Sequence, residues 1–230
     1  MIRAALAALL LATTPAGAGC RLALVLGLDV SSSVNSREYD IQLQGLARAF
    51  RVPEVRAALL TPPGAWVAVT AFEWSGSGHQ VTIADWTLLD SPGAIDAFSA
   101  QLSRHIRSRN DQPTGIGEAL RFAAQRFAAG PACARRTVDL SGDGANNDGP
   151  TPNFYRSQGL LEGLTINGLV VQGAADAPEI FYREQVMQGP NAFVALARDF
   201  DDYPAVIIGK LLREVTADLI VGGLGAEAGP

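Results

Sequence analysis

Asp29, Ser31 and Ser33 place one carboxylate and two hydroxyls at alternating positions just after an apolar run, Leu22 to Leu28. Such a run (LALVLGL) reads as a strand buried on both faces, so the three oxygens gather at one end of a sheet. Carboxylates and neutral hydroxyls are hard ligands, the chemistry of Mg²⁺ rather than of zinc or copper. Two further loops carry oxygens of the same kind. Gln112-Pro113-Thr114-Gly115-Ile116-Gly117 precedes a helical stretch, and Ser141-Gly142-Asp143-Gly144 follows another apolar strand. Mg²⁺ takes about six oxygens at about 2.0–2.1 Å and keeps some waters, so a few side chains from three loops suffice. Asp-x-Ser-x-Ser alone often caps a helix or closes a turn; the three loops in their strand and helix settings make the stronger pattern.

The elements that must position these loops alternate along the chain. Ser36 to Phe50 has apolar residues at helical spacing, with Ser36 a plausible N-cap. Ala65 to Phe72 reads as a second strand. Gln80 to Leu88 reads as a third, which alternates and follows a Gly/Ser turn, as an antiparallel edge strand does. Ser91 to Ile106 and Gly115 to Ala129 read as helices. Arg136 to Leu140, Thr165 to Val171 and Ala192 to Leu196 read as strands, and Phe200 to Leu219 as a closing helix. This order implies an α/β fold with a six-stranded, mostly parallel sheet covered on both faces. In such sheets ligands bind beyond the carboxyl ends of the strands, where the strand order reverses.

At 230 residues, with 48% hydrophobic and 18% charged residues, the chain is sized for one domain with a large core. A net charge of −5 without a Lys/Arg stripe argues against nucleic-acid binding. Residues 1–18 read as a signal peptide: Arg3, an apolar run from Ala4 to Ala12, then Ala16-Gly17-Ala18 as a cleavage site. The remaining expected divisions are a domain over 19–221 and a Gly/Ala-rich flexible tail over 222–230. No later run reads as a transmembrane segment. Cys20 lies nine residues before Asp29 and Cys133 ten before Asp143. If the two aspartates end adjacent parallel strands, a disulfide between the cysteines closes the opposite ends. The other readings are two free buried thiols, or a lipidated Cys20, which the preceding Gly17-Ala18-Gly19 disfavours.

The trio Asp29-x-Ser31-x-Ser33, Thr114 and Asp143 resembles, in kind and order, the metal-ion-dependent adhesion site of von Willebrand factor type A domains. The likeness extends through Ala23 to Ser31, Phe72-Glu73-Trp74, Ser141-Gly142-Asp143-Gly144 with Asn147, Ile166 to Leu169, Gly189 to Val194 and Asp199 to Tyr203. Over essentially the whole mature chain it is similar to an exported bacterial family of unknown function with such a domain. The resemblance implies a Rossmann-like, doubly wound von Willebrand A fold. It also implies Asp29, Ser31, Ser33, Thr114 and Asp143 as ligands of Mg²⁺, with Mn²⁺ or Ca²⁺ as alternatives. The aspartates there often act through water, so that an Asp or Glu of a protein or peptide partner completes the coordination. The expectation is an exported binding domain, periplasmic or secreted, without enzymatic activity.

A Mg²⁺-dependent phosphohydrolase is the rival. Enzymes of the haloacid dehalogenase type need Asp-x-Asp, where this chain has Ser31, and a suitably placed lysine, of which Lys210 is the only candidate. A scaffold merely braced by the metal is the third reading. Glu73 is expected to be solvated or paired, Trp74 and Trp86 to pack, and Asn146, Asn147 and Asp148 to form a loop. His79 and His105 lack a partnered motif, and Asp199, Asp201 and Asp202 suit the start of the last helix.

Overall fold

The computed structural model describes residues 19–109, 111–173 and 178–223. The expected signal segment and nearly all of the expected tail lie outside them. Six strands, β1 (Gly19–Asp29), β2 (Ala65–Trp74), β3 (Gln80–Leu89), β4 (Arg135–Gly142), β5 (Thr165–Val171) and β6 (Val194–Ala197), form one sheet in the order β3-β2-β1-β4-β5-β6. All neighbours run parallel except β2 and β3. β1 is central because both its faces are apolar. Leu22, Leu24, Leu26 and Leu28 enter one core layer, and Ala23 and Val25 the other.

The first layer is covered by α1 (Ser36–Ala49), α2 (Pro53–Leu59), α3 (Pro92–Arg104) and α7 (Tyr203–Gly223). The second is covered by α4 (Ile116–Ala128), Leu161, which follows α5 (Pro152–Ser157), and the π-helical turn Tyr182–Val186 that continues α6 (Pro178–Phe181). The chain leaves β1 toward β2 and later returns to its other side with β4. The strand order therefore reverses between β1 and β4, which opens the crevice where the ligand loops lie.

Several expected boundaries shift for local reasons. Asn35, not Ser36, caps α1: its side chain accepts the Glu38 amide at 3.0 Å while Glu38 accepts the Asn35 amide at 2.8 Å. β6 starts at Val194 rather than Ala192, because the Phe193 amide is taken by the Asn167 side chain at 3.0 Å. α7 starts at Tyr203 rather than Phe200, behind a turn in which the Asp199 carboxylate accepts the Asp202 amide at 2.9 Å. The short helices α2, α5 and α6 went unread, since fewer than about eight residues show too little periodicity to recognise.

The disulfide joins Cys20 to Cys133 across 113 residues. β1 and β4 are hydrogen-bonded neighbours, with Leu22 opposite Arg135, and the Ala134 amide donates to the Cys20 carbonyl at 2.9 Å. The bridge thus closes the end of the β1–β4 pair opposite to the aspartates.

Candidate metal centre

Beyond β1 the backbone turns sharply. The Ser31 amide donates to Asp29 Oδ1 at 2.7 Å, and the Val34 amide to the Ser31 carbonyl at 3.1 Å, before the capped start of α1. The turn is pinned between a buried strand and a capped helix, so its hydroxyls have little freedom. Ser31 Oγ and Ser33 Oγ lie 3.1 Å apart, and Ser33 Oγ donates to Asp143 Oδ1 at 2.7 Å across the β1–β4 crevice. The Thr114 loop is tied in through the Ser32 amide, which donates to the Gln112 carbonyl at 2.8 Å. A Cβ added to Gly144 would sit 3.5 Å from Thr114 Oγ1, so that hydroxyl adjoins the Asp143 loop. The structure brings Asp29, Ser31, Ser33, Thr114 and Asp143 together.

Asp29 is fully buried. Burial first, and then the nearby Asp143 carboxylate, push its carboxyl up to about 7. Its Oδ2 has no hydrogen-bond partner among the described residues, and neither has Tyr182 Oη. Both atoms lie within 3 Å of where a Cβ on Gly142 would stand, so any larger residue there would fill this space. Buried polar atoms without partners call for an ion or water. Two carboxylates and three hydroxyls around such an atom fit a hard divalent cation.

A second layer holds these loops. Glu73, at the end of β2, is fully buried, and its carboxylate collects four donors. The Tyr39 hydroxyl donates to it at 2.9 Å and the Ser108 amide at 3.0 Å; the Ser108 hydroxyl is also bonded to it, and His105 Nε2 lies 3.0 Å away. His79 Nε2 sits 2.9 Å from Ser108 Oγ. Between these anchors, Arg107 Nη2 faces the carbonyls of Val30 (2.8 Å), Ser31 (3.1 Å) and Val34 (2.8 Å). The segment from His105 to Ser108 is therefore a strap, fixed on Glu73 and clamped over the Asp-x-Ser-x-Ser turn. Its charge-assisted bonds are among the stronger kind. Arg107→Ala is expected to cost about 2 kcal/mol in urea unfolding and to weaken divalent-ion affinity. A wild-type midpoint would refute the clamp.

Of the two expectations for Glu73, solvated or paired, the structure shows a buried, paired carboxylate, and makes it the point where both histidines converge. His79, His105 and Ser108 are far apart in the chain from Tyr39, and no local motif announces the meeting. Asn146 and Asn147 are more than loop residues. Asn147 Oδ1 accepts the Thr114 amide at 2.8 Å and Asn146 Oδ1 the Gly117 amide at 3.0 Å, which fixes the start of α4. Trp74 is buried in the core, and Trp86 packs on Phe127 and donates to the Arg126 carbonyl, as expected of packing residues. Lys210 is buried far along the chain between Asp139 (2.7 Å) and Glu214 (2.6 Å).

Residues 19–219 match the family described as protein of unknown function DUF1194. No curated protein matches the sequence. Among solved structures, the fold is similar to proximal thread matrix protein 1 of the mussel byssus with a zinc-occupied MIDAS motif. There the TM-score is 0.58 at 19% identity, over 86% of this chain and 46% of that one. It is also similar to a von Willebrand factor type A protein from Catenulispora acidiphila (TM-score 0.56, 16% identity, 85% of this chain and 42% of that one). The open pilus adhesin SpaC of Lactobacillus rhamnosus GG is a third (TM-score 0.61, 14% identity, 86% and 30%). The chain spans less than half the length of each of these proteins. It belongs to the DUF1194 family, and its fold is that of a von Willebrand factor type A domain.

Proposed function

We propose that this protein is an exported binding domain that holds a divalent cation, Mg²⁺ in the first instance, and recognises an acidic group of a protein or peptide partner. The observation that carries the reading is the buried Asp29 Oδ2, left without a partner amid four other oxygen-bearing side chains. Ser31, Ser33 and Thr114 would hold the ion through neutral hydroxyls, with Asp29 and Asp143 as carboxylates behind them. A cation so held supplies an electrophilic centre for an incoming carboxylate, because few of its ligands are charged. Glu73 and Arg107 keep the ligand turn in place, so that binding does not have to order it. Zinc in the MIDAS motif of the mussel protein supports a divalent ion on this fold.

Export is supported by the Cys20–Cys133 bridge, typical of oxidising compartments, and by the Ala16-Gly17-Ala18 pattern. The domain is taken as residues 19–221. Binding without turnover is favoured over hydrolysis because Ser31 stands where a second aspartate would be needed. In addition, Lys210 is engaged by Asp139 and Glu214, and both histidines serve the strap.

The test is titration calorimetry of chelator-stripped protein with Mg²⁺ and Mn²⁺. Saturable one-site binding is expected, lost in Asp143→Ala and weakened at least tenfold in Thr114→Ala. A folded wild type that binds neither ion would refute the reading. Capture of an acidic partner peptide that is reversed by chelator, with the fold retained, would separate recognition from a merely bracing metal.

A further inference from the structure

The pole of the sheet opposite the metal centre holds a cleft of about 800 Å³. It exists because β6 is short. β6 first pairs with β5 at Gly168, so the start of β5 at Thr165, paired with β4 on one side, has no strand on the other, only the bridge from Ile166 to Gln188. The cleft runs between the starts of β4 and β5, the Gly189–Asn191 turn and Ala217 of α7. A smaller adjoining pocket shares part of its wall and is lined also by Phe193, Arg213 and Glu214.

Its charge is unlike that of the chain. The protein carries −5 overall, yet among the described residues the charged side chains lining the outer cleft are Arg135 and Arg136. Arg213 lines the adjoining pocket, its guanidinium 3.7 Å over the Phe193 ring, which holds the fork in place. Among the described lining residues the one carboxyl group is that of Glu214, which is buried. Its Oε1 accepts from Lys210 at 2.6 Å and from Asn167 at 2.8 Å, while Oε2 has no partner among the described residues. Burial, with Asp139 adding to it, pushes the Glu214 carboxyl up, which weakens its opposition to an anion in the cleft.

The lip of the cleft is also unusual. Asn191 is the one non-glycine residue at positive φ (57°) among the described residues, and Gly189 beside it stands at φ 89°. A Cβ on Gly189 would come 2.6 Å from the Leu164 carbonyl oxygen. Backbone held in sparsely populated regions gathers at functional sites, and this turn has no part in the metal centre.

We propose that this cleft and the pocket adjoining it bind a small organic anion bearing two or more carboxylates, held between Arg136 and Arg213. Planar guanidinium forks match carboxylates. Two separated cations call for two acidic groups, and the volume suits an organic molecule rather than a bare inorganic ion. Leu164, Pro190 and Phe193 offer apolar wall for the carbon skeleton.

The test uses the purified full chain, stripped of metal and then dialysed free of chelator, since EDTA is itself a polycarboxylate. Calorimetry and thermal shift are run with succinate, glutarate, citrate and inorganic phosphate. At least one carboxylate is expected to bind saturably and more tightly than phosphate. Its affinity should fall at least tenfold in Arg136→Gln and in Arg213→Gln, two exposed positions, with an unchanged urea midpoint of each ligand-free variant as the check on the fold. Three results would each overturn the proposal: no saturable binding of any carboxylate in the series, binding insensitive to both arginine variants, or binding that requires Mg²⁺ and so belongs to the metal centre.

Discussion

In chelator at about pH 8, Asp29→Asn protein should unfold at higher urea than wild type, although the substitution strikes the centre of the proposed metal site. The reason is the fully buried Asp29 carboxyl, pushed up to about 7. Its folded-state value lies above its unfolded value of 3.8. The associated stability is therefore complete below about pH 4 and is lost as the pH rises through about 7. Above that window the ionised, cation-free Asp29 costs the fold about 4 kcal/mol. Asparagine removes the charge but leaves an amide N–H to be satisfied at Oδ2, at a cost of about 2 kcal/mol. A net gain of about 2 kcal/mol at pH 8 remains, and it should shrink and reverse toward pH 4. Adding Mg²⁺ should then raise the wild-type midpoint and leave the variant unmoved. If Asp29→Asn is the weaker protein in chelator at both pH values, the account of this carboxylate is wrong.

Removing the disulfide should have a larger effect, of opposite sign. Cys20 and Cys133 close a loop of 113 residues that contains β2, β3 and the first four helices. On chain-entropy grounds a loop of about this length is worth about 4–5 kcal/mol, taken from a total of only about 5–15 kcal/mol for a typical domain. Cys20→Ser/Cys133→Ser protein, or wild type in reductant, should lose about 2 M in its urea midpoint. The bridge lies at the pole remote from Asp29 and Asp143. Divalent-ion affinity of the protein that remains folded should therefore be unchanged. A midpoint that does not move, or a metal affinity that falls with the bridge, would contradict this separation of roles.

Much of this was legible in the chain itself, because it depends on local patterns. Leu22 to Leu28 is apolar at every position, which marks a strand buried on both faces and so a central one. Short side-chain oxygens directly after such a strand end up at the carboxyl edge of the sheet whatever the rest of the chain does. That is why Asp29, Ser31, Ser33 and Asp143 stand out, with Thr114, in the loop before α4, added by the resemblance, and why near-equal spacing from the aspartates suggests pairing Cys20 with Cys133.

Only the tertiary structure decided what lies between elements distant in sequence. Tyr39, Glu73, His79, His105 and Ser108 meet around one buried carboxylate because α1, β2, the β2–β3 turn and the end of α3 converge there. No periodicity or spacing encodes that meeting. The orphaned Asp29 Oδ2, the Lys210 bridge to β4 and the basic cleft left by a short β6 are likewise products of packing. Burial shifts the titration of Asp29 and Glu214, and burial is a property of neighbours rather than of the residue. Residue types and spacing named the chemistry; the close approach of segments far apart in the chain determined its strength.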